Sequence, residues 1–360
     1  MKEMTRRSVA AWGLASVCGC AANGRTSILS GRFVCPPCGC AMDGVEFSAP
    51  GVCPACGMSL TPKHDAPFEP TSLSPGAGMF LAAGGLGREA ARIEVHYFLP
   101  RTFTPRSPVL LVIPGAGRDG DEYRDAWIAT ADRVGALVAS LGYPEAHYDF
   151  AAYQLGGVVR DLTLPAGSRD SNVVRIRDED IVFTPNPESD TWLFNDFDRV
   201  FAVLKRAAGS DQVGYDMFGH SAGGQILHRL VLFHPHSRAE RIIAANAGFY
   251  TLPNLDLPMI VGMGGSGVGE IELAQAFGRP LTLLLGEADN GDDAGGIMLH
   301  TPLVDQQGLG RLDRGRYFFE QAQQRARLLN EPLAWRLRTV PGVGHNFRAM
   351  SQAAASLLYP

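Results

Sequence analysis

From residue 79 onward, short apolar runs alternate with segments whose apolar residues recur every three or four positions. Ile93–Leu99 and Val109–Ile113 are rich in β-branched residues and read as strands, and Asp121–Val134 reads as a helix. In Asn195–Ala207 the residues Phe197, Val200, Phe201 and Leu204 fall on one helical face. Gly214–Phe218 is then a strand, Ala222–Phe233 a helix and Ile242–Ala245 a strand. Leu281–Leu285 is a buried strand, Tyr317–Leu328 a helix, Trp335–Val340 a last strand and Phe347–Leu358 a closing helix. Alternation of this kind predicts an α/β domain over 79–360, doubly wound around a mostly parallel sheet. Active residues in such sheets sit at the carboxyl ends of the strands.

The first 78 residues do not follow this rhythm. Met1 to Arg7 is basic on balance and Ser8 to Val17 weakly apolar, so residues 1–20 are expected to be an export signal. Arg6-Arg7 suggests the twin-arginine route, and Cys20 resembles the cysteine of a lipoprotein cleavage box. The expected location is periplasmic, outer-membrane lipoprotein or secreted, with a lipid on Cys20 as the membrane anchor. The competing reading is an unprocessed leader on a cytoplasmic protein. No later stretch is apolar for long enough to span a bilayer. Of the 360 residues, 46% are hydrophobic and 19% charged, and the formal net charge is -5, so no basic footprint for nucleic acid exists.

All seven cysteines precede residue 57, which excludes a thiol nucleophile from the large domain. Cys35 and Cys38 form one C-x-x-C pair, and Cys53 and Cys56 another. Two such knuckles suit tetrahedral Zn²⁺, and residues 31–62 are too few to fold without added stabilisation from a metal. Cys40 exceeds a four-cysteine set, and with Met58 it leaves Cu⁺ open as the metal. A pair of disulfides is the competing reading. The stretch resembles the heavy-metal-binding, zinc-ribbon-like modules found beside bacterial export and efflux proteins, through its aromatic-x-Cys-Pro start, Pro50-Gly51 turn and Cys53-Pro-x-Cys56-Gly57-Met58 end. A Pro-, Ser- and Gly-rich linker over 63–78 follows.

The segment Gly219-His220-Ser221-Ala222-Gly223 lies between a strand and a helix, which is the setting of a nucleophile elbow. Ser221 is the candidate nucleophile, and His220 is expected to point away from it. A serine hydroxyl needs an oriented base, and in this fold acid and histidine follow the serine in chain order. Asp289 lies in the loop after Leu281–Leu285, with Glu287, Asp292 and Asp293 as rivals; His345 follows the last strand. Ala222 and Ala116 are the candidate oxyanion donors, with Gly117 as the alternative to Ala116 in the Pro114–Asp119 loop. Tyr143 to Trp192 is a candidate cap, and Tyr123, Trp192, Phe249 and Tyr250 are candidate pocket residues that core packing would equally explain.

Residues 79–360 resemble the α/β-hydrolase superfamily, and within it exported esterases similar to polyhydroxybutyrate depolymerases. The segments VLLVIPGAGRDGDEYRDAW, MFGHSAGGQ, ANAGFYT, LLLGEAD and VPGVGHN carry the likeness. The resemblance implies the fold, a Ser–His–Asp triad and hydrolysis of a small or polymeric ester without a catalytic cofactor. Where many members have histidine ahead of the oxyanion loop, this chain has Pro114. A peptidase or amidase would use the same triad, and a non-catalytic metal-binding envelope protein would use the fold as a scaffold.

Overall fold

The computed structural model describes residues 32–35, 40–42, 45–63, 67–165, 169–170, 173–291 and 298–360. The expected export signal, Cys18, Cys20, Cys38, Asp292 and Asp293 lie outside these residues. The chain divides into two compact units at Asp65/Ala66.

In the first unit, strand β1 (Arg32–Val34) pairs antiparallel with both β2 (Glu46–Phe47) and β3 (Thr61–Lys63). The only side chains buried at its centre, among the described residues, are Cys35, Cys53 and Leu60. So small a core cannot offset the entropy of ordering the chain, so the unit needs another source of stability.

The second unit is built on a sheet of eight strands. β4 (Gly76–Ala83) and β5 (Arg92–Leu99) form one edge, followed by β6 (Val109–Ile113) and β7 (Leu137–Gly142). Two small sheets are inserted next. β8 (Val159–Thr163) pairs with β11 (Val182–Pro185), while β9 (Arg169–Asp170) and β10 (Val173–Arg175) join the later β15 (Met298–His300). The main sheet resumes with β12 (Tyr215–His220), β13 (Ala239–Ala245), β14 (Leu281–Gly286) and β16 (Arg336–Val340). Its order is β16-β14-β13-β12-β6-β7-β5-β4, parallel from β16 to β7 and antiparallel at β5 and β4. Every residue of β6 is buried because alternate side chains enter two different cores: Val109, Leu111 and Ile113 on one face, Leu110 and Val112 on the other. A continuous apolar run is what a parallel strand covered on both faces requires.

The helices are α1 (Gly120–Asp125), α2 (Ile128–Val134), α3 (Phe150–Tyr153), α4 (Phe194–Ala208), α5 (Ala222–Phe233), α6 (Glu270–Phe277), α7 (Pro302–Asp305), α8 (Arg311–Leu328) and α9 (Phe347–Leu358). The helix expected over Asp121–Val134 is two, broken at Ala126-Trp127, and the break lets Trp127 turn fully inward against Phe218, with ring centroids 5.3 Å apart. α8 begins at Arg311, ahead of the expected onset at Tyr317, in a polar turn that hydrophobic periodicity does not register. The stretch read as a linker gives its ends to strands, since β3 includes Lys63 and β4 starts at Gly76. In the expected cap, Tyr143, Tyr148 and Tyr153 are buried in the main core. None of the described helices is long and apolar enough to cross a membrane.

Candidate active site

The elbow forms where β12 ends beside the first turn of α5. Ser221 carries φ 59° and ψ −115° there, a sparsely populated conformation for a residue with a Cβ that costs on the order of 1–3 kcal/mol. Its N–H donates to Ala245 O at 2.9 Å, which ties the turn to the end of β13. The motif glycines allow the close crossing. A Cβ on Gly223 would lie 2.0 Å from Ile113 O, and one on Gly219 would lie 2.4 Å from Gly223 O. No side chain larger than hydrogen fits at either place, which explains the pattern G-x-S-x-G in this chain.

The loop after β6 runs alongside. A Cβ on Gly115 would come 3.5 Å from the Ser221 Cβ. Ala116 and Gly117 follow at an exposed turn closed by Arg118 N–H donating to Gly115 O at 3.1 Å. Both expected oxyanion segments therefore flank Ser221.

Asp289 and His345 meet. His345 Nδ1 lies 2.7 Å from Asp289 Oδ2, with the two side chains 7% and 1% exposed. Glu287 is exposed and its Oε1 accepts from Thr339 Oγ1 at 2.7 Å, so this rival acid faces away from the histidine. The loops that carry Asp289 and His345 are tied together, since Ala288 N–H donates to Val343 O at 2.9 Å. Asn246, buried at the end of β13, clamps both: its Oδ1 accepts from Gly286 N–H at 2.8 Å and its Nδ2 donates to Gly344 O at 3.2 Å. Ser221 Oγ makes no hydrogen bond to His345 in this structure, and such catalytic bonds are often long before substrate closes them.

The His220 ring lies beside that of His345, with centroids 4.5 Å apart, and its Nδ1 is 3.2 Å from the Tyr123 hydroxyl. It ends a fully buried strand. Burial drives the pKa of His220 well below the ordinary imidazole value, and the charges of His345 and Arg311 add to this. His345 is also lowered, first by burial and then by the Arg311 charge, against the raising effect of its bond to Asp289. A neutral imidazole with Nδ1–H on the carboxylate can take a proton at Nε2. Arg311, on α8, donates from Nη1 to Asp289 Oδ1 at 3.1 Å. Tyr123, Trp192, Phe249 and Tyr250 are all buried, as core residues are.

A cavity of about 460 Å³, lined by Arg241, Leu281, Trp335 and Leu358, opens at the opposite, amino ends of the strands.

In the first unit, Cys35, Cys40, Cys53 and Cys56 converge, with all four Sγ atoms within 4.8 Å of one another. Cys40 thus takes part, although the C-x-x-C spacing singles out Cys38, which lies outside the described residues. The Sγ separations of 3.9 Å (Cys35–Cys40), 3.4 Å (Cys35–Cys56) and 3.8 Å (Cys40–Cys53) are far from the roughly 2.05 Å of a disulfide. Four thiolates at about 2.3 Å from a central Zn²⁺ stand about 3.8 Å apart, so the set fits a tetrahedral metal. Met42 N–H donates to Cys40 Sγ at 3.4 Å, as an amide does to a thiolate. The four cysteines can hold a metal ion.

No protein-family model and no curated protein matches the chain. Among solved structures, poly(aspartic acid) hydrolase-1 from Sphingomonas sp. KT-1 is 34% identical over 80% of this chain and 100% of that one, with a TM-score of 0.69. LpqC, a poly(3-hydroxybutyrate) depolymerase from Bordetella parapertussis, is 30% identical over 79% and 90%, also with a TM-score of 0.69. The chain belongs to the α/β-hydrolase family, and these two relatives are hydrolases.

Proposed function

We propose that this protein is a serine hydrolase that cleaves a carboxylic ester through Ser221, His345 and Asp289. The observation that carries the reading is the 2.7 Å contact between His345 and the buried Asp289, made by loops pinned beside the strained Ser221 turn. Ser221 Oγ attacks the carbonyl carbon while His345 Nε2 takes its proton; Asp289 holds the Nδ1–H tautomer and stabilises the imidazolium. The N–H groups of Ala222 and Ala116 receive the oxyanion, and one such donor contributes on the order of 3 kcal/mol to the transition state. His345 then protonates the leaving oxygen. Water repeats the sequence on the acyl-enzyme and regenerates the serine. Export by the N-terminal segment and a structural Zn²⁺ on the cysteine cluster complete the reading, with no metal in the catalytic steps.

The similarity to a poly(aspartic acid) hydrolase supports a second reading, in which the scissile bond is an amide. Attack, oxyanion and acyl-enzyme are unchanged; only the leaving group differs, and an amine must be protonated before it departs. Purified protein and its Ser221→Ala variant, incubated with poly(3-hydroxybutyrate) and poly(aspartic acid) side by side, separate the two. Soluble products from the polyester, absent with S221A, favour the ester. Products from the polyamide alone favour the amide. Products from neither polymer, together with no turnover of p-nitrophenyl butyrate, would sink the serine-hydrolase reading.

A further inference from the structure

We propose that Arg311 is the positioning residue of the catalytic acid, fixing Asp289 from the first turn of α8 so that one carboxylate oxygen always faces His345. The inference rests on the triad reading above. Three contacts converge on one short loop. Arg311 Nη1 donates to Asp289 Oδ1 at 3.1 Å, which leaves Oδ2 for His345. Leu312 N–H donates to the Asp289 carbonyl at 3.1 Å. Gly310, the N-cap of α8, lies so close to the next loop residue that a Cβ there would be 2.7 Å from Asn290 O. The start of α8 is thus seated on the backbone of the acid loop, and its first side chain grips the acid.

The chemistry needs such a grip. A carboxylate held only by His345 can turn about its Cβ–Cγ bond and exchange oxygens. A planar guanidinium on the other oxygen opposes that rotation, since turning would break a charge-assisted bond in a dry setting. Both side chains are 1% exposed, so water does not compete. Arg311 also sets the charge around the base. His345 is faced by Asp289 and by the buried, neutral His220, which is joined to the Tyr123 hydroxyl; the Tyr250 phenol acts on Asp289 through space. Arg311 brings positive charge to this group, disfavouring a proton on His345 and keeping the base neutral to lower pH.

The test is kcat and KM for p-nitrophenyl butyrate across pH for the full-length wild type, R311M, R311Q and R311K, with thermal melts of each. In R311M, kcat falls roughly 10- to 100-fold with little change in KM, as expected when a catalytic group is misplaced. Its acid limb moves to higher pH as the positive charge is lost. R311K keeps the charge and restores the position of the limb, while recovering only part of kcat. A folded R311M whose acid limb stays at the wild-type pH overturns the proposal and leaves Arg311 a packing residue. Should R311M not fold, R311Q keeps an N–H donor and similar volume without charge. An upward shift in R311Q supports the proposal, and an unshifted limb overturns it. S221A separates the two levels: if S221A is inactive while R311M behaves as wild type, this inference alone fails, whereas an active S221A removes the triad reading itself.

Discussion

Asp289→Asn keeps the shape of the acid and removes its charge, and the two bonds that the carboxylate makes determine the outcome. Oδ2 accepts from His345 and Oδ1 from Arg311. Asparagine offers one acceptor oxygen and one NH₂ donor. With its oxygen toward Arg311, the NH₂ faces His345 and forces the tautomer with the proton on Nε2, which cannot accept from Ser221. With its oxygen toward His345, the NH₂ faces the guanidinium, donor against donor. Either orientation also takes from the buried Arg311 the carboxylate that lies 3.1 Å away. Losing the tautomer is expected to reduce kcat by about 10³- to 10⁴-fold. Breaking a buried ion pair from one side is expected to cost about 3–5 kcal/mol of stability. Both are read on one preparation, by steady-state hydrolysis of p-nitrophenyl butyrate and by urea unfolding. A D289N protein within tenfold of wild-type kcat would refute the assignment of the acid, and normal stability alongside it would refute the Arg311 pairing as well.

Gly223→Ala should lose at least 100-fold in activity and a few kcal/mol in stability, because its Cβ would sit 2.0 Å from Ile113 O and push the elbow from the oxyanion loop; urea melts and esterase assays check this. Stability should fall as the pH drops below about 6.5. The folded-state pKa values of His220, His228, His234 and His345 are lowered by burial, so the unfolded chain binds more protons there, at about 1.4 kcal/mol per histidine per pH unit at most. Asp196, pushed up to about 6, takes up a proton in the folded state and offsets part of the loss. Melting curves between pH 7.5 and 5 that show rising stability on acidification would contradict this. Metal analysis should find one Zn²⁺ per chain, reduced in Cys40→Ser; chelation should open residues 32–63 to protease, and a protein with no metal and intact resistance would contradict the site.

The placement of Ser221, Asp289 and His345 after strand ends is legible because a strand's apolar run marks where its carboxyl end falls. The same reasoning places Ala222 and the Gly115–Gly117 loop. Arg311 is not legible: an arginine in a polar helical turn gives no local sign that it is 1% exposed or that its partner is twenty-two residues away. Asn246 leaves only a weak mark, as an amide directly after a buried strand. The strand pattern marks His220 as buried but not that its ring lies against that of His345. Spacing rules undervalue Cys40 because they count pairs, and folding of β1 and β2 brings this cysteine into the cluster by tertiary contact. The pairings of β8 with β11 and of β10 with β15 join residues distant in sequence that no local pattern encodes.

The most direct test of the central claim is covalent labelling of the full-length protein with a fluorophosphonate, followed by peptide mass spectrometry. A single adduct on Ser221, formed quickly by wild type, slowly by His345→Ala and not at all by Ser221→Ala, is the expected result. Labelling of a different residue, or rapid labelling that survives loss of His345, would contradict it.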